Sequence, residues 1–306
     1  MTLASDFKWT AKRAALNVLR HLPDRVALSI DYFRVFGRLP NLRTPRRFSE
    51  KMQHMKLAAR DPTMPTIVDK ICVKEFVRQT LGDEWLIPTI WHGDEVTEAI
   101  LGEIPKPAVM KPNHSSAHVR FLSGETNLGE AARAANDWLT YDHHVLHREW
   151  AYGQIKRQIL IEPLIANGGP LNDYKFWVFD GAVRFVQVDL ERFQKHRRQF
   201  YNPQWERLDF ALKYPSAPDD IPAPKHLSRM LAAAETLAAG FRFLRVDLYD
   251  TPDRPLFGEL TLAPEAGLCR FSPDRIDLEL GEAWSYPAAS QGGGAQPVSF
   301  TMRAGT

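Results

Sequence analysis

The stretch RVDLYDTPDRPLFGELTLAP, residues 245–264, carries Arg245-x-Asp247 and Glu259-x-Thr261 on two runs that alternate polar and apolar residues. Alternation of period two marks strands, because successive side chains point to opposite faces. The intervening TPDRP is turn chemistry, and a hairpin closed there pairs Asp247 with Glu259 and Arg245 with Thr261. Leu244, Val246 and Leu248 then share the packed face with Leu256, Gly258, Leu260 and Leu262, which leaves Phe257 beside Glu259 and Thr261 on the polar face. Carboxylates facing each other across a ladder repel, and burying them is costly unless positive charge neutralises them. A hard divalent cation such as Mg2+ takes oxygen ligands of this kind, with substrate phosphates completing its shell. The planar fork of Arg245 suits phosphate oxygens. A solvated polar face, ordinary in antiparallel sheets, gives the same pattern, so the hairpin alone leaves both readings open.

Other segments carry chemistry in the same order along the chain. VMKPNHSSAH ends a short strand, Ala108–Lys111, with a lysine and runs into a polar loop. ILIEPLIANGGPLNDYKFWVFDG passes from an apolar strand through Glu162 and a Gly-Gly loop to Asp173 and Lys175. DLERFQKHRRQFY concentrates Arg192, Lys195, His196, Arg197 and Arg198. A solvated loop is the ordinary reading of such a charge run. His143, His144 and His147 have helical spacing that can present imidazoles to zinc, but no cysteine or fourth ligand accompanies them, which favours a solvated or partly packed face. FSEK, residues 48–51, reads as a helix start capped by Ser49. Arg148-Glu149-Trp150 suggests packing or substrate contact only.

These residues need a frame. With 306 residues the chain exceeds one ordinary core, so two or three lobes are expected. A net charge of +2 argues neither for nor against nucleic acid, and no such partner is expected. Cys72 and Cys269 lie far apart outside any CxxC spacing, which suits a reducing compartment. No apolar run reaches the length of a membrane span. The protein reads as cytoplasmic, with a basic amphipathic N-terminal segment that either docks on its own protein or rests on an anionic membrane face. Residues 1–105 read as a mostly helical domain, with apolar residues at three- and four-residue steps. YKFWVFDGAVRFVQVD is a hairpin turning at Asp180-Gly181. HLSRMLAAAETLAAG is a helix with Leu227, Met230, Leu231, Ala234 and Leu237 on one face and Gly240 as its stop. Residues 286–306, rich in Gly, Ser and Ala, read as a disordered tail.

The order strand-Lys-loop, strand-Glu-linker-acid, Arg-x-Asp and Glu-x-polar resembles the ATP-grasp superfamily. The run FSEKMQHMKL, VDKICVKEFV, HREWAYGQIK, DYKFWVFDG, VQVDLERFQKHRRQFY, RVDLYD and FGELTLAP is similar to its TupA-like group, over roughly residues 30–280. The resemblance implies an α+β fold holding ATP between two lobes, a small one over 106–165 and a large one over 166–285. It implies that Lys111 contacts the α-phosphate and adenine. Glu162, Pro163, Leu164 and Ile165 would form the adenine hinge, Asp173 would hold the ribose, and Lys175 and Lys70 are further nucleotide contacts, with Lys74 a weaker one. Arg245 would touch phosphates while Asp247, Glu259 and Thr261 hold Mg2+. Thr261 stands where many relatives have Asn, and NHSSAH lacks the glycines of related loops. The implied activity joins a carboxylate to an amine through an acyl phosphate, with an amino acid or amine attached to a uronic-acid carboxyl of a surface polysaccharide. Arg192 and Arg197 would orient the carboxylate, and Lys195 or His196 would reach the γ-phosphate. A glycosyltransferase using a nucleotide sugar and a non-catalytic nucleotide-binding module are the alternatives.

Overall fold

Proline, glycine and polar caps cut the first part of the chain into short helices, and the computed structural model describes residues 21–116, 118–165, 172–190 and 196–286. Helix α1 (Asp24–Phe36) stops at Gly37, whose left-handed φ of 71° lets its N–H close on Phe33 O. Helix α2 (Phe48–Ala58) starts at Arg47 rather than at a Ser49 cap. The Glu50 carboxylate accepts the N–H groups of Asn41, Arg46 and Arg47, while Ser49 gives its N–H and hydroxyl to Asp277. A carboxylate with two acceptor oxygens satisfies more free helix-terminal donors than a hydroxyl can. Helices α3 (Met64–Val68) and α4 (Val73–Leu81) follow.

Strand β1 (Trp91–Gly93), helix α5 (Glu98–Glu103), β2 (Ala108–Pro112), β3 (Arg120–Leu122), helices α6 (Leu128–Leu139) and α7 (His143–His147), and β4 (Ile159–Pro163) come next. Their strands form an antiparallel sheet of order β1-β4-β2-β3. Leu101, Met110, Ala131, Ala135, Ile159 and Ile161 are its buried core.

The second sheet is built from β5 (Asp173–Phe179), β6 (Ala182–Leu190), β7 (Arg197–Tyr201), β8 (Arg207–Leu208), β10 (Phe243–Asp250) and β11 (Pro255–Thr261), in the order β11-β10-β5-β6-β7-β8. Asp180 and Gly181 join β5 to β6 with φ of 48° and 82°, the positive pair a two-residue type I′ turn requires. β9 (Ala211–Leu212) pairs with β12 (Phe271–Ser272), helix α8 (Leu227–Leu237) buries Met230, Ala233, Ala234 and Leu237, and α9 (Arg275–Ala283) comes last. Phe48, Met52, Met55, Val73, Val77 and Trp85 share one core with this sheet. Of the described residues in the region read as mostly helical over 1–105, α2 and α4 pack in the large core, while β1 and α5 belong to the small one. The reason is exposure, since short amphipathic helices reach stability by packing an apolar face on something larger. Tyr286 is buried against Trp284 and meets His54 Nδ1 at 2.6 Å; residues 287–306 lie outside the described residues.

The hairpin that carries the acids pairs Asp247 with Glu259 and Arg245 with Thr261. Beyond them the register shifts, so Leu248 faces Phe257 and Gly258 is the extra residue of a bulge. That single residue flips the faces downstream: Phe257 joins the core, contrary to the polar face expected from strict alternation, and Leu256 turns the other way opposite Tyr249. A Cβ on Gly258 would lie 3.0 Å from Asp247 O, which is why the bulge holds a glycine.

Candidate active site

One face of the large sheet gathers charge from five strands. Pairing sets Lys175 between Asp247 and Gln187, and Asp189 between Asp173 and Arg198. Towards one end the same face is aromatic, with Trp177, Phe179 and Phe243 packed on Phe48. At the other end every buried charge has an opposite partner. Lys175 Nζ donates to Asp173 and, at 2.9 Å, to Asp247 Oδ2. Arg245 meets Asp247 in a fork, Nε on Oδ1 and Nη2 on Oδ2, each at 2.7 Å. Its Nη2 also reaches Glu259 Oε1 at 3.1 Å and Thr261 Oγ1 at 2.9 Å. Arg198 grips Asp189 with Nε at 2.6 Å and Nη2 at 3.3 Å, and touches Glu265 Oε1 at 3.4 Å.

The protonation states follow from these pairs. Burial pulls the Lys175 ammonium down, but Asp173 and Asp247 outweigh it and hold the pKa above the ordinary lysine value. Burial pushes Asp189 up, yet hydrogen bonds and charge from Arg198 hold it well below the usual carboxylate range. For Asp247 burial dominates and raises the carboxyl, against the pull of Arg245 and Lys175.

On the small sheet, Glu162 is buried between two lysines. Lys111 Nζ lies 2.6 Å from Oε2, and Lys74 meets Oε1 while also donating to Ile87 O and Thr89 Oγ1 at 2.8 Å. Burial raises the Glu162 carboxyl, and the two ammonium groups together bring it below the ordinary range. Past Glu162, Pro163 pairs with Ala108, Leu164 N–H donates to Pro107 O at 3.1 Å, and Ile165 is half-buried. The loop after β2 is pinned: Asn113 bonds Asp69, Lys156 O and the Gln158 N–H. Lys70 donates to Ser115 O at 2.8 Å and stands 3.8 Å from Glu259 Oε2, so it joins this loop to the acidic hairpin of the other sheet.

The structure thus assembles Asp173, Lys175, Arg245, Asp247, Glu259 and Thr261 on one face, with Lys70 adjoining it, and groups Lys111 and Glu162 separately on the small sheet. Arg192 and Lys195 lie outside the described residues. His196 stacks on Tyr214 at 3.7 Å, its Nε2 3.4 Å from Asp189 Oδ1. Arg197 turns to Ser216 O, and its neighbour Arg198 supplies the buried guanidinium on the charged face. Adjacent strand residues point oppositely, so only one of the two can do so. Asp189 was legible as the last polar residue of VQVD. Glu265, bonded to Arg198 and Lys213, was not: it stands in a turn where Glu265, Ala266 and Gly267 all have positive φ. Gln53 and Lys56 of α2 donate to Ala266 O at 3.0 Å and hold that turn. His143 packs on His147 and Tyr152, and among the described residues no group of three His, Cys, Asp or Glu can hold a metal.

Does the hairpin fit a divalent cation? Asp247 Oδ2, Glu259 Oε1 and Thr261 Oγ1 all lie within 2.7–3.1 Å of one cationic nitrogen, Arg245 Nη2. Three hard oxygen donors that converge on one positive atom are the donor set Mg2+ uses, and the fit is good.

A family model described as TupA-like ATPgrasp matches residues 50–285. None of the curated proteins compared with the chain matches it. Among solved structures the chain is similar to an L-amino acid ligase from Bacillus licheniformis, at 16% identity and a TM-score of 0.45, covering 94% of this chain and 66% of that one. It is similar to a D-alanine–D-alanine ligase from Bacillus anthracis at 15% identity and a TM-score of 0.43, covering 71% and 67%. The ATP-grasp ligase PsnB, complexed with minimal precursor, Mg and ADP, gives 14% and 0.35, covering 65% and 52%. The chain spans between about half and two thirds of the length of these structures.

Proposed function

The chain belongs to the TupA-like ATP-grasp family, and from that premise we propose that it is an ATP-dependent carboxylate–amine ligase. The carboxylate is a uronic-acid carboxyl of a cell-surface polysaccharide or its precursor, and the amine is an amino acid or a simple amine. The observation that carries the reading is the charged face. Two lysines and an arginine, Lys70, Lys175 and Arg245, meet Asp173, Asp247 and Glu259 beside a loop pinned to the neighbouring sheet.

In this reading ATP lies between the sheets. Lys111 and Lys70 meet phosphate oxygens, Glu162–Ile165 line the adenine edge, and Asp173 accepts from the ribose hydroxyls. Asp247, Glu259 and Thr261 would hold Mg2+, which would supply positive charge against that of the polyphosphate. A substrate carboxylate oxygen attacks the γ-phosphorus, the bond to the β-γ bridging oxygen breaks, and ADP leaves. The amine nitrogen then attacks the acyl carbon and loses a proton, and phosphate departs with the C–O electron pair. Carboxylate and polyphosphate repel, so fixed cations at the meeting point lower the barrier of the first step. Arg245 is the cation placed for it, and Arg198, tied to Asp189 and Glu265, holds its part of the face rigid.

A phosphate-release screen pairing uronic acids with amino acids in the presence of ATP and Mg2+ tests the reading. ADP and phosphate release that needs both partners is the expected result; release of AMP, or a melting temperature raised by UDP- or GDP-sugars and not by ATP, overturns it.

A further inference from the structure

We propose that the Arg245 guanidinium is a built-in occupant of the divalent-cation position, so that nucleotide and metal enter together. This rests on the nucleotide reading above. The geometry is specific. Nη2 is bonded to one oxygen from each of the three residues that would ligate the metal: 2.7 Å to Asp247 Oδ2, 3.1 Å to Glu259 Oε1 and 2.9 Å to Thr261 Oγ1. The second oxygen of Asp247 is taken by Nε at 2.7 Å, and Lys175 adds a contact to Oδ2 at 2.9 Å. Thr261 also donates to Glu259 Oε1 at 3.1 Å.

A metal ion cannot use these oxygens while Nη2 is among them. Arg245 is 8% exposed, and Asp247 on its flank is 3% exposed, so a displaced guanidinium cannot simply enter water. It needs another anion, and its fork is matched to phosphate oxygens. A polyphosphate arriving beside β10 provides that anion. The arginine then leaves the acids as the divalent ion takes them, and neither buried charge is stranded at any stage. Without nucleotide the tethered cation competes with the metal at very high effective concentration. The protein's own charge keeps the site assembled and closed to divalent ions until the nucleotide is present.

Mn2+ binding followed by the loss of its free EPR signal tests this without reference to turnover. In the wild type, a non-hydrolysable ATP analogue should tighten Mn2+ binding at least about tenfold, within the usual range of coupling between sites. Arg245→Gln, folded by circular dichroism, should bind Mn2+ without nucleotide at least about tenfold tighter than the wild type, and lose most of the nucleotide enhancement. Adding Glu259→Gln to that variant should remove the gain, which places the ion at the hairpin. If Arg245→Gln does not fold, Arg245→Lys keeps the charge without the three-way fork and should show a smaller gain of the same sign. Equal nucleotide-free Mn2+ affinity in wild type and Arg245 variant, or a gain that survives Glu259→Gln, overturns the proposal. Because that comparison uses no nucleotide, it decides the role of Arg245 even if the analogue binds to neither protein, an outcome that counts against the ATP reading alone.

Discussion

Lys175→Met should be the most damaging single change on the charged face. Lys175 is 4% exposed, and its ammonium bonds Asp173 and Asp247 and lies 3.9 Å from Asp189. Methionine fills similar volume but takes the ammonium away from Asp173 and Asp247. Removing one partner from a buried ion cluster costs about 3–5 kcal/mol, because the remaining charge is uncompensated. For a chain of 306 residues that is a fall in melting temperature of about 5–8 °C. The pH dependence separates charge from packing. The folded pKa of Lys175 lies above its ordinary value, so its contribution is fully present below that ordinary value and is lost only as pH rises through the folded pKa. Between pH 8 and pH 5 the wild type therefore gains nothing from this group. In the variant Asp247, whose carboxyl burial already raises, loses the pull of Lys175, so its cost is relieved as pH falls through its folded value. The gap between the two proteins should narrow from pH 8 to pH 5 when thermal unfolding is followed by circular dichroism. A fall under about 2 °C at pH 8, or a gap that does not shrink at pH 5, would refute the charge-compensation account.

Gly258→Ala places a Cβ 3.0 Å from Asp247 O and 3.2 Å from the Tyr249 ring, so it should cost about 1–3 kcal/mol by overpacking, read from urea midpoints, and weaken ATP-dependent thermal protection by shifting Glu259. Lys56, buried and bonded to Gln53 and Ala266 O, has its pKa lowered by burial from 10.5 to about 8. Between those values the unfolded chain binds the extra proton, so stability should rise with pH by about 1 kcal/mol per unit; comparing Lys56→Met with the wild type from pH 8 to pH 10 should show the wild type gaining relative to the variant. Glu162→Gln leaves Lys74 and Lys111 facing one another. Since the folded Glu162 pKa is lowered, its stabilisation is present above the ordinary glutamate value and lost as pH falls through the folded one, so the variant's melting deficit at pH 7 should fade under strong acid.

Much of the scaffold was legible from local pattern. Alternation along residues 243–250 and 255–261 set which side chains face Asp247, and Asp180-Gly181 closed the neighbouring hairpin as its dihedral demands require. The order of lysine, glutamate, acid and Arg-x-Asp placed the chain in its family. Gly258 defeated strict alternation because a glycine in a strand can continue the ladder or drop out of it, and only the packing of Phe257 against the core selects the second. The choice of Arg198 over Arg197 depended on the register of β6 with β7, and a slip of one residue exchanges the two.

Local periodicity set two carboxylates face to face and left open whether a solvated face or a positive charge between them relieves their repulsion. It had no means of saying whether that charge is an ion from solution or a side chain of the protein. In the structure Arg245 and Lys175 supply it, through contacts that include Lys175 to Asp247 across 72 residues of chain and Arg198 to Glu265 across 67. Burial likewise turned Gln53 and Lys56, ordinary polar residues of a helix, into the clamp on the turn after β11. Charge compensation in a low-dielectric interior is a property of distances in three dimensions, and those are decided by how the sheets and helices pack rather than by spacing along the chain.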